Sequence, residues 1–126
     1  MDGLATEWPE LQALKRRMRD FAERRNWDQF HAPKNLVMAL AGEAGELIEH
    51  FQWLTEAQSG ELDARTLEQV ASEIADIQIY LVRLADKLDV SIADAVERKV
   101  AENERKYPVE RVYGSSRKYT EYGNGD

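Results

Sequence analysis

Two short stretches hold the residues best placed to do chemistry: Glu43-Ala44-Gly45-Glu46 and Glu73-Ile74-Ala75-Asp76. Residues three apart on a helix are neighbours, so each stretch is a paired carboxylate if it is helical. On a wheel advancing about 100° per residue, Glu43 falls about 20° from Leu36. Glu46 and His50 follow along that edge of an apolar arc containing Leu40, Leu47 and Phe51. Glu73, Asp76 and Tyr80 flank a second arc of Val70, Ile77 and Leu84 in the same way. If the two helices pack as an antiparallel hairpin, the four carboxylates can converge. Two such charges about 4 Å apart repel by roughly 4 kcal/mol at an effective dielectric of 20. A hard divalent cation would offset this, because Mg²⁺ and Mn²⁺ prefer carboxylate oxygen. The alternative is four acids on wet faces of a highly charged helical protein. Either pair alone is commonplace; both together, on core edges of adjacent helices, favour a metal site.

Other groups could complement it. Lys99, Asn103 and Lys106 border an apolar arc of Ile92, Val96, Val100 and Tyr107. Lysines beside an apolar face can simply snorkel. Near an acidic metal cluster they become candidates for holding phosphate oxygens, and Arg117 and Lys118 could add to them. Trp27, Phe30, His31 and Trp53 fall in or at the edge of loops flanking the first carboxylate helix. They either pack between helices or stack on a base, which is worth ~1–3 kcal/mol per base. With two histidines and no cysteine, a three-histidine zinc site, a thiolate zinc site, a disulfide framework and a cysteine nucleophile are all excluded.

The elements that position these groups are helical. The periodicity predicts four helices and no strand. The first starts near Thr6 as N-cap and ends near Arg25, with Leu11, Leu14, Met18 and Phe21 as its stripe; Asn26 to Ala32 is a loop. The second opens at Pro33 and runs to about Trp53, and Thr55 to Asp63 is a polar loop. The third runs from about Ala64 to Leu88 on a stripe of Leu67, Val70, Ile74, Ile77, Leu81, Leu84 and Leu88. Ile79 and Val82 lie off that stripe, so the helix is expected to be central in a bundle or to carry an oligomer interface. The fourth starts after Ser91 and ends near Tyr107, where Pro108 stops it. The expected organisation is one all-α domain over residues 1–126, a four-helix core over about 6–107 and an irregular tail over 108–126.

Composition narrows the function. With 17 basic and 24 acidic residues among 126, the net charge is −7. That opposes non-specific nucleic-acid binding and a polybasic membrane surface. The 43% hydrophobic content suffices for a core. No apolar run approaches the ~20 residues of a membrane span. Met1 to Glu10 is polar and lacks a signal-peptide stretch, so a cytoplasmic location is expected.

Taken together, these pieces resemble the MazG-like all-α nucleoside triphosphate pyrophosphohydrolases, and within them the dCTP pyrophosphatase branch. The resemblance runs from about Phe21 to Thr120. It rests on Trp27-Asp28-Gln29-Phe30-His31, Gly42-Glu43-Ala44-Gly45-Glu46-Leu47, Phe51-Gln52-Trp53, Glu73-Ile74-Ala75-Asp76 with Ile79-Tyr80-Leu81, Lys99 with Asn103, Tyr107-Pro108, and Gly114-Ser115 with Lys118-Tyr119-Thr120. It implies that Glu43, Glu46, Glu73 and Asp76 bind Mg²⁺, with Mn²⁺ as a substitute, and carry catalysis. It also implies that Trp27, His31, Trp53 and Tyr80 form or border a nucleotide pocket. Lys99 and Asn103, with Lys118 from the tail, would contact substrate. A helical homo-oligomer, dimer or tetramer, is implied as well. The second face of Ile79 and Val82 would fit that, as would Gly42 and Gly45 if another helix approaches them closely.

The expected reaction is Mg²⁺-dependent hydrolysis of dCTP or a 5-modified dCTP to monophosphate and pyrophosphate, with water activated by the metal or by a glutamate. The role would be to cleanse the nucleotide pool. Alternatives are a house-cleaning pyrophosphatase for another triphosphate and a non-catalytic helical interaction module. A di-iron bundle would need Glu-x-x-His on two helices, and that motif is missing.

Overall fold

The computed structural model describes residues 8–116, which are helical without a strand. The long helices are α1 (Pro9–Arg24), α2 (Pro33–Glu49), α4 (Ala64–Lys87) and α5 (Ile92–Lys106). Two short ones, α3 (Glu56–Ser59) and α6 (Val109–Val112), and a 3₁₀ turn at Asp28–Phe30 lie between or after them. Residues Trp8–Ser91 form one compact unit, and α5 and α6 belong to a second. Among the described residues no helix is long and apolar enough to cross a membrane.

The four expected helices are therefore present, with shifted ends. Thr6 lies outside the described residues; α1 opens at Pro9 behind Trp8, with no side-chain cap. Pro at the first helical position is tolerated because its missing N–H would be unpaired there anyway. α2 stops at Glu49 instead of Trp53, because the chain tightens into a turn in which the Phe51 amide donates to Ile48 O at 2.9 Å. The predicted polar loop holds α3, enclosed by a capping box between Thr55 and Gln58. The predicted irregular tail holds α6. Asp63 caps α4 by accepting from the Thr66 amide at 2.7 Å.

α1 and α4 end alike. Asn26 and Asp89 have positive φ, at 54° and 55°. The amides that follow them, Trp27 and Val90, donate back to Ala22 O and Ala85 O at 2.8 Å. These are Schellman closures, in which a left-handed residue lets the helix's last carbonyls be satisfied. The first swings Trp27 out of the α1 direction and starts the segment that leads to His31.

α2 packs on α4 and α1 packs on α4. The α2–α4 pair is antiparallel: His50, after the end of α2, meets Glu73 near the start of α4. His31, before the start of α2, meets Arg83 near the end of α4. The core of the unit contains Ala22, Leu36, Val70 and Val82. This corrects the expected faces of α4. Val82, assigned to an oligomer face, is buried, and Ile79 lines a cleft. Leu67, Ile74, Leu81 and Leu88, assigned to the core stripe, are exposed. A helix that is apolar on several sides leaves its core-facing side undetermined until neighbours pack. Among the described residues none approaches Gly42 or Gly45 closely, since a Cβ built on either meets nothing within 4 Å.

One buried charge holds this unit together. Arg83 is only 2% exposed. Its Nη2 donates to Asp28 Oδ1 at 2.9 Å and its Nη1 to Asp86 Oδ2 at 3.3 Å. Asp86 also accepts from Arg19 Nε at 3.0 Å, linking α1 to α4. The Arg19 hydrogen bond, against the opposing effect of burial, holds the Asp86 carboxyl below its ordinary range. A depressed folded-state value adds stability that is present above the unfolded-state pKa and lost as pH falls through the folded one. Asp86→Asn should therefore destabilise the protein near neutral pH, by roughly the 1.5–3 kcal/mol of a lost charge-assisted hydrogen bond, since Arg83 keeps Asp28. Denaturant titrations should show the difference from the parent protein shrinking below roughly pH 4.

Candidate active site

The antiparallel α2–α4 contact brings Glu43 together with Glu73 and Asp76. One carboxylate oxygen from each lies within 4.8 Å of the others, and all three residues are half-buried. Glu46 is exposed and stands outside this group. Its charge is still felt: burial first, then the charges of Glu46 and Asp76, raise the Glu43 carboxyl above its ordinary value. Three oxygen donors and no nitrogen or sulfur suit a hard cation such as Mg²⁺ or Mn²⁺. The donor set thus fits the expected metal, and the crowding gives the acids a reason to take one.

His50 was left without a role by the sequence, although it shared an edge with Glu43. Its Nε2 lies 2.7 Å from Glu73 Oε2. An N–H at that atom donates to the carboxylate and fixes its orientation, as partners of metal ligands commonly do.

Beside the carboxylates lies a cleft of about 140 Å³, room for a small ring system rather than a lone water. Phe21, Trp27, Ile79 and Tyr80 give it aromatic and apolar walls, and Met18, His31, Asp76 and Arg83 complete the lining. Phe21 and Trp27 meet edge to face, with ring centroids 5.8 Å apart at 71°. The Arg25 guanidinium covers Phe21 at 3.6 Å from its centroid. The loop carrying Trp27 and His31 is fastened at several points. Gln29 Nε2 donates to Asn26 O at 2.9 Å, and Asn35 Nδ2 donates to Phe30 O at 3.2 Å. Asp28 accepts from Lys87 Nζ as well as from Arg83, and these bonds, Lys87 first, hold its carboxyl low.

Of the predicted pocket residues, Trp27, His31 and Tyr80 thus share one cleft with Asp76. Trp53 does not line it; it sits in the turn after α2 and is 87% exposed. Lys99 and Asn103 are exposed on α5 in the other compact unit, and Lys99 pairs there with Glu102 at 3.1 Å. Lys118 lies outside the described residues. Arg83 and Asp28 were missed as site residues. Asp28 stands inside the Trp27–His31 motif, which was a signal; Arg83 had none, because its burial is a tertiary fact.

A helical unit with an all-oxygen carboxylate group at the edge of an aromatic cleft defines a candidate metal-dependent enzyme for a small ligand carrying a flat ring. The comparisons agree. Residues 39–122 match the MazG-like family, and the chain belongs to it. It is 44% identical over 119 residues to human dCTP pyrophosphatase 1, covering 93% of this chain and 70% of that protein. The rat dCTP pyrophosphatase 1 is 42% identical over the same shares. Among solved structures, a pyrophosphatase from Archaeoglobus fulgidus superposes with a TM-score of 0.74 at 39% identity, covering 79% of this chain and 93% of that one.

The raised Glu43 value has a stability consequence. The folded state holds that proton more tightly than the unfolded one, so the contribution is present at low pH and lost as pH rises through the folded value. A bound cation would reverse the loss. Mg²⁺ or Mn²⁺ at a hundredfold its Kd should add about 2.7 kcal/mol at pH 7.5, read as a rise in Tm, with the gain fading toward the carboxylate range. Glu43→Gln should be at least as stable as the parent without cation and show no such gain.

Proposed function

We propose that this MazG-like protein hydrolyses dCTP, or a 5-modified dCTP, to the monophosphate and pyrophosphate in a Mg²⁺-dependent reaction that cleanses the nucleotide pool. The observation carrying this is the double position of Asp76, which belongs both to the carboxylate group and to the lining of the aromatic cleft. A nucleoside seated between Trp27 and Tyr80 would leave its phosphates at Glu43 and Glu73. The relatives named dCTP pyrophosphatase 1 and the solved pyrophosphatase support the reaction class.

In this proposal Glu43, Glu73 and Asp76, with Glu46 completing the set as phosphates enter, hold the cation. When bound, Mg²⁺ supplies positive charge against the phosphate oxygens. Trp27 and Tyr80 fix the base, which holds the α-phosphorus in place for in-line attack by water. The bond from water oxygen to the α-phosphorus forms as the bond to the bridging oxygen breaks, the water's proton passes to a glutamate carboxylate or to solvent, and pyrophosphate leaves. His50 keeps Glu73 oriented. Trp53, Lys99, Asn103 and Lys118 enter the proposal as further substrate contacts. A cytoplasmic location, with neither nucleic acid nor membrane as partner, belongs to the same proposal.

We further take the protein to be a homo-oligomer, dimer or tetramer. Leu67, Ile74, Leu81 and Leu88 are exposed at seven-residue spacing, the repeat of a helix–helix seam. A second copy of α4 is self-complementary to such a stripe across a two-fold axis.

A panel of triphosphates with Mg²⁺ tests the reaction. Pyrophosphate and dCMP from dCTP are expected, and turnover of no triphosphate would sink the proposal. Glu43→Gln should lower kcat by about a hundredfold or more with helix content unchanged, the scale of losing a catalytic electrostatic group. Trp53→Ala should reduce the preference for dCTP if its ring meets the base. Leu81→Glu should shift the protein to smaller species in light scattering; an unchanged mass would remove α4 as the seam.

A further inference from the structure

We propose that Arg83 is a positioning residue that fixes His31 as an Nε2–H hydrogen-bond donor in the cleft, so that the cleft selects a base presenting an acceptor edge, cytosine over uracil. This rests on the dCTP function proposed above.

Arg83 Nε donates to His31 Nδ1 at 3.3 Å. A guanidinium carries donors only and stays charged. The imidazole atom facing it must offer a lone pair, so the neutral ring carries its proton on Nε2. Arg83 cannot rotate away cheaply. It is buried, and its Nη1 and Nη2 are held by Asp86 and Asp28. Protonating Nδ1 would set one N–H against another.

The charged surroundings of His31 agree. Burial, then the Arg83 charge, push the imidazole below its ordinary value; Lys87 adds to this, and Asp28 opposes it. Asp76 and Tyr80 are the other ionisable groups lining the cleft. The His31 amide donates to Asp28 O at 3.0 Å, which ties the residue's backbone to the same loop. Among the described residues Nε2 has no partner, while the ring lines the cleft beside Phe21, Trp27 and Tyr80. A fixed donor in such a wall penalises any ligand that leaves it unmatched. Cytosine presents acceptors at both O2 and N3. Uracil and thymine carry acceptors at O2 and O4 but a donor at position 3, so the selection follows where Nε2–H faces position 3 of the base.

The two ring nitrogens of His31 can be read directly by ¹⁵N NMR of the intact protein, with a His31→Gln variant to assign the signals. Nδ1 should be unprotonated near neutral pH. In Arg83→Met, Nδ1-protonated forms should appear and the ring should titrate at higher pH, whereas Arg83→Lys, which keeps a donor, should resemble the parent. In kinetics, Arg83→Met should raise KM for dCTP and reduce the dCTP-over-dUTP preference about tenfold, with a smaller change in kcat. Arg83→Lys should restore most of the preference. An Nδ1–H signal in the parent protein would overturn the proposal, as would an unchanged dCTP-over-dUTP ratio in folded Arg83→Met. If Arg83→Met does not fold, His31→Gln against His31→Phe decides: only the first keeps an N–H near the Nε2 position, and equal preference in both would overturn the donor role. Turnover of no triphosphate by the parent would instead refute the function, leaving the NMR signals to decide what Arg83 does.

Discussion

The antiparallel packing of α2 on α4 is the constraint on which the site depends. It sets Glu43 against Glu73 and Asp76, an arrangement that carboxylates on free helices would avoid. Their repulsion is of the order of several kcal/mol at short range. It is borne by apolar burial elsewhere in the pair, at Leu36, Val70 and Val82. The strain is local and electrostatic, so a divalent cation can relieve it without moving a helix. The fold holds the acids in place, and a bound metal would turn that cost into affinity.

The same helix carries the opposite sign further along. From Asp76 to Arg83 is seven residues, about 10 Å of helix. The acidic group stands at one end of that interval, and Arg83, with Lys87 one turn beyond, stands at the other. The cleft is lined by Asp76 and Arg83 and, between them on the helix, by Ile79 and Tyr80. A nucleotide has a matching polarity: a phosphate end that needs a cation and a base end that needs fixed hydrogen-bonding groups. A net charge of −7 therefore says little about which small anion binds, because the sign is distributed by position along α4.

Much of this was legible from periodicity. The long helices, Pro33 as an opening residue and the core-edge position of Glu43, Glu73 and Asp76 follow from 3.6-residue spacing, whereas Glu46 is exposed. The end of α2 was not legible, because Phe51-Gln52-Trp53 contains no breaker and the turn there is set by packing. Asn26 was placed in a loop but not seen as a left-handed closure, since many residues can end a helix and only a tertiary fit selects one. Arg83 was invisible for a related reason. An arginine in a helix is ordinarily exposed, and only Asp28 arriving from the loop and Asp86 from the next turn make a buried one tolerable.

The faces of α4 show how pattern alone can rank the wrong residues as core. Two apolar sides do point to a helix with a partner on each. Pattern alone ranks the longer stripe as core, yet Leu67, Ile74, Leu81 and Leu88 are exposed while Val82 is buried. The distinction lies in the period. A spacing of seven drifts only about 20° per heptad, so the four residues form one shallow stripe along the helix. Such a stripe suits a second helix wound gently against it. The four exposed residues are the stripe that the proposed homo-oligomer would cover. Such a seam would brace the helix that carries Glu73, Asp76 and Arg83, so assembly and the geometry of the site would rest on the same element.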